Sequence, residues 1–294
     1  MPSFNRRKAK NSAAFSRSRP LGKLARGKQS VYDDAEEHGD ELPPAPRRRG
    51  IYLLPNAFTT AGLFCGFYAI VMAMSQKFDY AAIAIFGAML LDSIDGRVAR
   101  LTHTQSEFGA QYDSLADMVS FGAAPALVMY VWALQGLGKL GWLAAFVYCA
   151  GAALRLARFN TNIGVVDKRY FQGLPSPAAA ALVAGFIWLM NDLGYLGADL
   201  SWAAWAITLY AGLTMVTNVP FYSFKDINYR KSVPFIAVFL IVLAFVAIAG
   251  DPPKVLFSMF VLYGLSGYAI YFWRLAKGKP VSIVQTEIDH HDEH

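Results

Sequence analysis

Cysteine is scarce in this 294-residue chain: Cys65 and Cys149 are the only two, and both lie inside apolar runs. That argues against a disulfide framework and leaves the redox compartment unreported. No glycine-rich dinucleotide fingerprint and no P-loop is present, so the usual phosphate-cradling loops are excluded. No internal repeat is apparent, which speaks against a carrier built from repeated halves. Residues 1–50 lack an apolar run, so no cleavable secretory signal is expected there. One local absence matters most. Between Asp92 and Asp117 there is no lysine, and Arg97 and Arg100 are the only permanent cations among four aspartates.

What is abundant is apolar surface. Hydrophobic residues make up 55% of the chain and the mean hydropathy is +0.32, which points to an all-α polytopic membrane protein. Eight apolar segments are expected to be helices, near 54–75, 79–101, 109–134, 140–161, 176–195, 201–220, 233–250 and 255–274. The three expected parts are an N-terminal arm over 1–50, basic at both ends and acidic between, a transmembrane catalytic domain over 51–275, and a tail over 276–294. The arm either holds the N-terminus inside or also attracts anionic headgroups. The histidine-containing end of the tail reads as a short solvated segment, with transition-metal binding as the sharper alternative.

The loops orient the bundle. Connections on one side hold Arg97, Arg100, Arg155, Arg158, Lys168, Arg169, Lys225, Arg230 and Lys231, and the C-terminus adds Arg274, Lys277 and Lys279. The other side holds Lys77, Lys139 and Lys254. By the positive-inside rule the first set, both termini and the aspartates face the cytoplasm. The pI of 9.2 therefore comes from loops and tails, and no nucleic-acid partner is expected.

Four carboxylates at a membrane edge need compensation, since an aspartate at a helix centre costs roughly 2.5–3.5 kcal/mol on insertion scales. Asp92 and Asp95 are spaced i, i+3, and Asp113 and Asp117 are spaced i, i+4, so each pair shares one helical face. In an antiparallel hairpin turning near 101–108, at about 1.5 Å per residue, Asp92 and Asp117 lie at one depth and Asp95 and Asp113 at another. All-oxygen donors suit Mg²⁺ or Mn²⁺, and the combined charge would balance two divalent cations, as in two-metal phosphoryl displacement. Gly96 and Gly109 leave room beside them for a phosphate. The alternative is an ion pathway, which intramembrane carboxylates also mark.

The stretch Asp92-x2-Asp95-Gly96-x2-Ala99-Arg100-x8-Gly109-x3-Asp113-x3-Asp117 resembles the signature of the CDP-alcohol phosphotransferase family of membrane enzymes, at every fixed position. The resemblance implies a six-helix core followed by two C-terminal helices. It further implies that Asp92, Asp95, Asp113 and Asp117 bind two divalent ions, that Arg100 helps hold the diphosphate, and that Gly96, Ser106 and Gly109 lie against the nucleotide lipid. Asp117 is the implied general base. Pro55-Asn56-x2-Thr59 has a helix-start pattern, and similar residues in the family lie at the nucleotide, so Asn56 and Thr59 are candidates to cap the helix, to face the CDP moiety, or both. Relatives are commonly homodimers, and the expected location is the inner, cytoplasmic membrane of a bacterium.

Three further stretches are similar to the phosphatidylserine synthase branch: Arg155-Leu-Ala-Arg158-Phe-Asn160, Phe171-Gln-Gly-Leu-Pro-Ser176-Pro, and Asn218-x-Pro220-x2-Ser223-Phe-Lys225-Asp226. The implied substrates are CDP-diacylglycerol and L-serine, with phosphatidylserine and CMP as products. Serine brings a carboxylate, which suits a guanidinium fork, so Arg155, Arg158 and Asn160 are candidates for the serine site. Snorkelling to headgroups is the plainer role for the two arginines. Inositol-phosphate and phosphatidylglycerophosphate synthases are the nearest confusable members.

Overall fold

The computed structural model describes residues 53–102, 106–161, 170–223 and 235–277. The N-terminal arm, the tail beyond Lys277, and the loop cations Lys168, Arg169, Lys225, Arg230, Lys231 and Lys279 lie outside the described residues, as do Phe224 and Asp226 of the third branch motif.

Eight helices account for most of the described chain. They are α1 (Leu53–Met74), α2 (Phe78–Leu101), α3 (Glu107–Leu137), α4 (Lys139–Thr161), α5 (Ser176–Asp192), α6 (Ser201–Val216), α7 (Phe235–Gly250) and α8 (Pro252–Ala276). They follow the eight expected segments to within two residues at most ends, but α5 and α6 stop three or four residues early, α3 runs three residues past its expected end and α8 begins three residues before its expected start. α5 ends because Gly194 turns into the left-handed region at φ +80°. α6 ends because the chain at 220 enters a strand. Two three-residue strands, β1 (Tyr170–Gln172) and β2 (Pro220–Tyr222), pair antiparallel with Phe171 opposite Phe221.

α1, α3, α4 and α8 are each long and apolar enough to cross a bilayer. Phe64, Phe67, Leu90 and Phe146 are more than half exposed, an arrangement that suits acyl chains and not water. α2 is apolar in its first half and carries Asp92, Asp95, Arg97 and Arg100 in its second. α7 packs only lightly, against α8, and its outward residues are apolar almost without exception. The chain is an all-α polytopic membrane protein.

α5 runs through the centre. Ala178 to Ala181, Val183, Ala184 and Ile187 are all buried, and its neighbours include α2 and α8. Alanine at successive positions allows close helix approach without polar groups. α1 meets α3 still more closely: a methyl on Gly66 would lie 2.7 Å from Ser120 Cα, and Ser120 Oγ donates to Gly62 O at 3.1 Å. This contact sits one turn beyond Asp117, so it fixes the depth of the acidic face of α3 against α1. Just there, over Met118–Ala123, the hydrogen bonding of α3 widens to the π pattern, a local adjustment often found beside functional residues.

Candidate active site

The carboxylates converge as their spacing demands. Asp92 and Asp95 come from the last turns of α2, Asp113 from the second turn of α3, and one carboxylate oxygen from each lies within 4.8 Å of the other two. Asp95 is buried and Asp92 and Asp113 are partly so. Thr59 of α1, itself buried, donates from Oγ1 to Asp95 Oδ2 at 2.9 Å, with Pro55 O at 3.1 Å as its other acceptor. α1 therefore supplies the back wall of the cluster.

Asp117 lines the same cleft as these three, together with Gly62 and Ser120. Its carboxyl group approaches Asp92 closely, and it also lies near enough to Arg155 of α4 for their charges to attract. The fourth aspartate thus stands between the acidic cluster and a buried guanidinium.

Of the residues expected at the nucleotide, Thr59 lines the cleft and Asn56, Ser106 and Gly109 come together. Ser106 caps α3, accepting at Oγ from Gly109 N at 3.0 Å. A methyl on Gly109 would lie 3.1 Å from Ser106 Oγ and 3.5 Å from Asn56 Oδ1, so Asn56, Ser106 and Gly109 meet. Gly96 is exposed, and a methyl there would have no neighbour within 4 Å. Arg100 is exposed and lies back along α2, where its Nε donates to Gly96 O at 2.8 Å.

The three branch stretches, remote in sequence, meet around the α4 arginines. Arg155 is 9% exposed and donates from Nη1 to Ser176 Oγ at 2.9 Å. Arg158 holds the chain after α6: Nη1 donates to Val216 O and Asn218 Oδ1, each at 3.1 Å, and Nη2 to Gln172 O at 2.9 Å, with Met215 O and Thr217 O at 3.3 Å. Asn160 Nδ2 donates to Ser114 Oγ at 3.0 Å, beside Asp113. Gly173, at φ +74°, is required at this crossing, because a side chain would strike Met215 O at the C-terminus of α6. Its N–H donates to Val219 O, and the next N–H, of Leu174, to Thr214 O. The Gly-Leu-Pro-Ser turn thereby delivers Ser176 to Arg155.

Several of these roles were not assigned from the sequence. Ser176 stands inside a recognisable stretch, which was the available signal. Tyr263 of α8, near Arg155 and donating from its hydroxyl to Tyr222 O at 3.2 Å, is one aromatic among many on an apolar helix and carried no signal.

Chemically, the cluster is a hard, all-oxygen donor set with little neighbouring positive charge, which fits a divalent cation. Like charges this close, half withdrawn from water, are tolerated when a cation neutralises them.

Residues 52–217, α1 through α6, match the family model described as CDP-alcohol phosphatidyltransferase. The chain is also similar to curated proteins named CDP-diacylglycerol–serine O-phosphatidyltransferase. The Helicobacter pylori protein is 34% identical over 73% of this chain and 90% of its own length. The Methanocaldococcus jannaschii protein is 35% identical over 75% and 96%, and the Saccharomyces cerevisiae protein 35% identical over 60% and 62%. With the full acidic signature gathered in one cleft and the family match ending where α6 ends, the chain belongs to the CDP-alcohol phosphatidyltransferase family.

Proposed function

We infer that this chain transfers the phosphatidyl group of CDP-diacylglycerol to the hydroxyl of L-serine and releases CMP. The observation that carries the reading is the cluster of Asp92, Asp95 and Asp113, with Asp117 placed between it and buried Arg155. The similarity to serine-using relatives over nearly their whole length supports the choice of acceptor.

In this reading Asp92, Asp95, Asp113 and Asp117 hold two divalent cations, Mg²⁺ or Mn²⁺. When bound, the cations supply positive charge against the diphosphate and against the departing CMP. Thr59 fixes the Asp95 carboxylate by its hydrogen bond. Asn56, Gly96, Ser106 and Gly109 form the mouth through which the nucleotide enters, and Arg100 swings from its own helix to the diphosphate. The serine oxygen attacks the lipid-bearing phosphorus, the phosphorus–oxygen bond to CMP breaks, and Asp117 takes the hydroxyl proton. Serine approaches from the side of α4, where Arg155, Arg158 and Asn160 lie.

The count of loop cations turns the cleft toward the cytoplasm, where soluble CMP and serine are found. Homodimerisation and an inner-membrane location rest on the family resemblance, and the division into arm, catalytic domain and tail on composition. The test is an acceptor panel on purified protein in detergent. CMP release from CDP-diacylglycerol is expected with L-serine and a divalent ion. Release driven by glycerol phosphate, inositol phosphate or choline, and not by serine, would reject the acceptor assignment.

A further inference from the structure

α3 carries two wide turns. Over Met118–Ala123 and again over Tyr130–Leu134 its hydrogen bonds span five residues instead of four. At each turn a hydroxyl from a neighbouring helix takes a backbone carbonyl. Tyr148 of α4 donates to Phe121 O at 3.0 Å, and Ser201, at the start of α6, donates to Ala133 O at 2.8 Å. The first wide turn begins directly after Asp117, and its Ser120 and Phe121 line the cleft with the four aspartates. In a regular α-helix Phe121 O would accept from residue 125, which is proline and has no N–H. Tyr148 supplies from outside a donor that the regular pattern lacks here. It is fully buried, and its own position is tightly set. A methyl on Gly212 of α6 would lie 2.7 Å from Tyr148 Cα, and one on Gly151 would strike Gly212 O, so α4 and α6 meet backbone to backbone. From the opposite side Ser120 Oγ is tied to Gly62 O of α1.

We propose that Tyr148 is a positioning residue for the aspartates of α3: by holding the Phe121 carbonyl, its hydroxyl keeps the wide turn open and so keeps Asp113 and Asp117 facing the cleft. This rests on the function proposed above, in which those carboxylates hold cations. Successive residues of an α-helix are turned by about 100°. A wide turn contains one residue more than a regular one, so closing it would rotate the acidic half of α3 against its buried half by about that angle. The buried half, with Val128, Met129 and Leu134 wholly enclosed, is fixed in the core, and the rotation falls on the aspartates. Tyr148 does not line the cleft; it acts through the Phe121 carbonyl alone. The second wide turn, held by Ser201, lies roughly 20 Å further along α3 and serves the packing of its outer end.

The experiment measures Mn²⁺ binding by electron paramagnetic resonance on the purified full-length chain in detergent, without substrate and well below each melting transition. Tyr148→Phe keeps the ring and removes the hydroxyl, and its Mn²⁺ affinity is expected to fall about tenfold, the scale of one buried hydrogen bond. Ser201→Ala removes the corresponding bond at the second wide turn. It is expected to melt lower and to bind Mn²⁺ as the wild type does, which separates positioning from general loosening of α3. Pro125→Ala supplies the N–H that closes the first turn. It is expected to bind Mn²⁺ more weakly without melting lower, so metal affinity and stability part company. Wild-type Mn²⁺ affinity in Tyr148→Phe, or in Pro125→Ala should Tyr148→Phe not fold, overturns the positioning role and leaves the function standing. So does a loss of affinity in Ser201→Ala as large as in Tyr148→Phe. A wild type that binds no Mn²⁺ overturns both.

Discussion

Thr59 Oγ1 lies 2.9 Å from Asp95 Oδ2, a buried hydrogen bond joining the second turn of α1 to the most enclosed carboxylate of the cluster. The bond fixes which oxygen of Asp95 faces the cleft. Thr59→Val keeps the shape and removes the donor. A hydrogen bond to a charged group contributes about 1.5–3 kcal/mol, so kcat/KM should fall on the order of tenfold to a hundredfold. Thr59→Ser should recover most of it. Steady-state rates at saturating divalent ion test this, and wild-type rates in Thr59→Val would remove the bond from the site's support.

Gly66 is a structural test of the α1–α3 contact. An alanine methyl there would meet backbone, Ser120 Cα, at 2.7 Å, and relief must come from moving a helix. Overpacking of this kind costs about 1–3 kcal/mol. Gly66→Ala is expected to melt several degrees lower in detergent and to lose activity, since Asp113 and Asp117 ride on the displaced helix. An unchanged melting temperature would contradict the packing.

Arg158 is expected to behave as a brace. It serves Gln172, Val216 and Asn218 at once, and lysine cannot reproduce the planar fork. Arg158→Lys should lose about 2 kcal/mol or more of stability. It should melt lower and lower kcat for every substrate together. A selective rise in the serine KM with unchanged melting would instead put Arg158 on the acceptor.

The orientation is testable without activity. Reporters fused after Arg100 and after Lys231 are expected on the cytoplasmic side, and one near Pro252 on the opposite side. A cytoplasmic signal at Pro252 would break the eight-span order.

Most of the fold was readable because apolar segments in a membrane protein have few alternatives to helix, and the aspartate spacing alone predicts the convergence seen at Asp92, Asp95 and Asp113. The early ends of α5 and α6 carried local stop signals, Gly194 and Pro220, but the apolar Leu193, Tyr195 and Val219 beside them blur where each helix stops. The division between Arg155 and Arg158 was hidden as well. Both are arginines on one helical face, and only the arrival of Ser176 and of the carbonyls after α6 distinguishes them. Tyr263 depends on the path of α8, which no local pattern reports.

The central claim is that the carboxylates of α2 and α3 hold cations for phosphatidyl transfer to serine. The most direct measurement is serine-dependent CMP release as a function of free Mn²⁺ or Mg²⁺, for the wild type and for Asp92→Ala, Asp95→Ala and Asp113→Ala. The account predicts a wild-type rate that rises from nothing with the metal and disappears on chelation. Each variant should insert and purify yet release no measurable CMP at any metal concentration. Wild-type-like turnover in any one variant, or turnover that survives chelation, would contradict it.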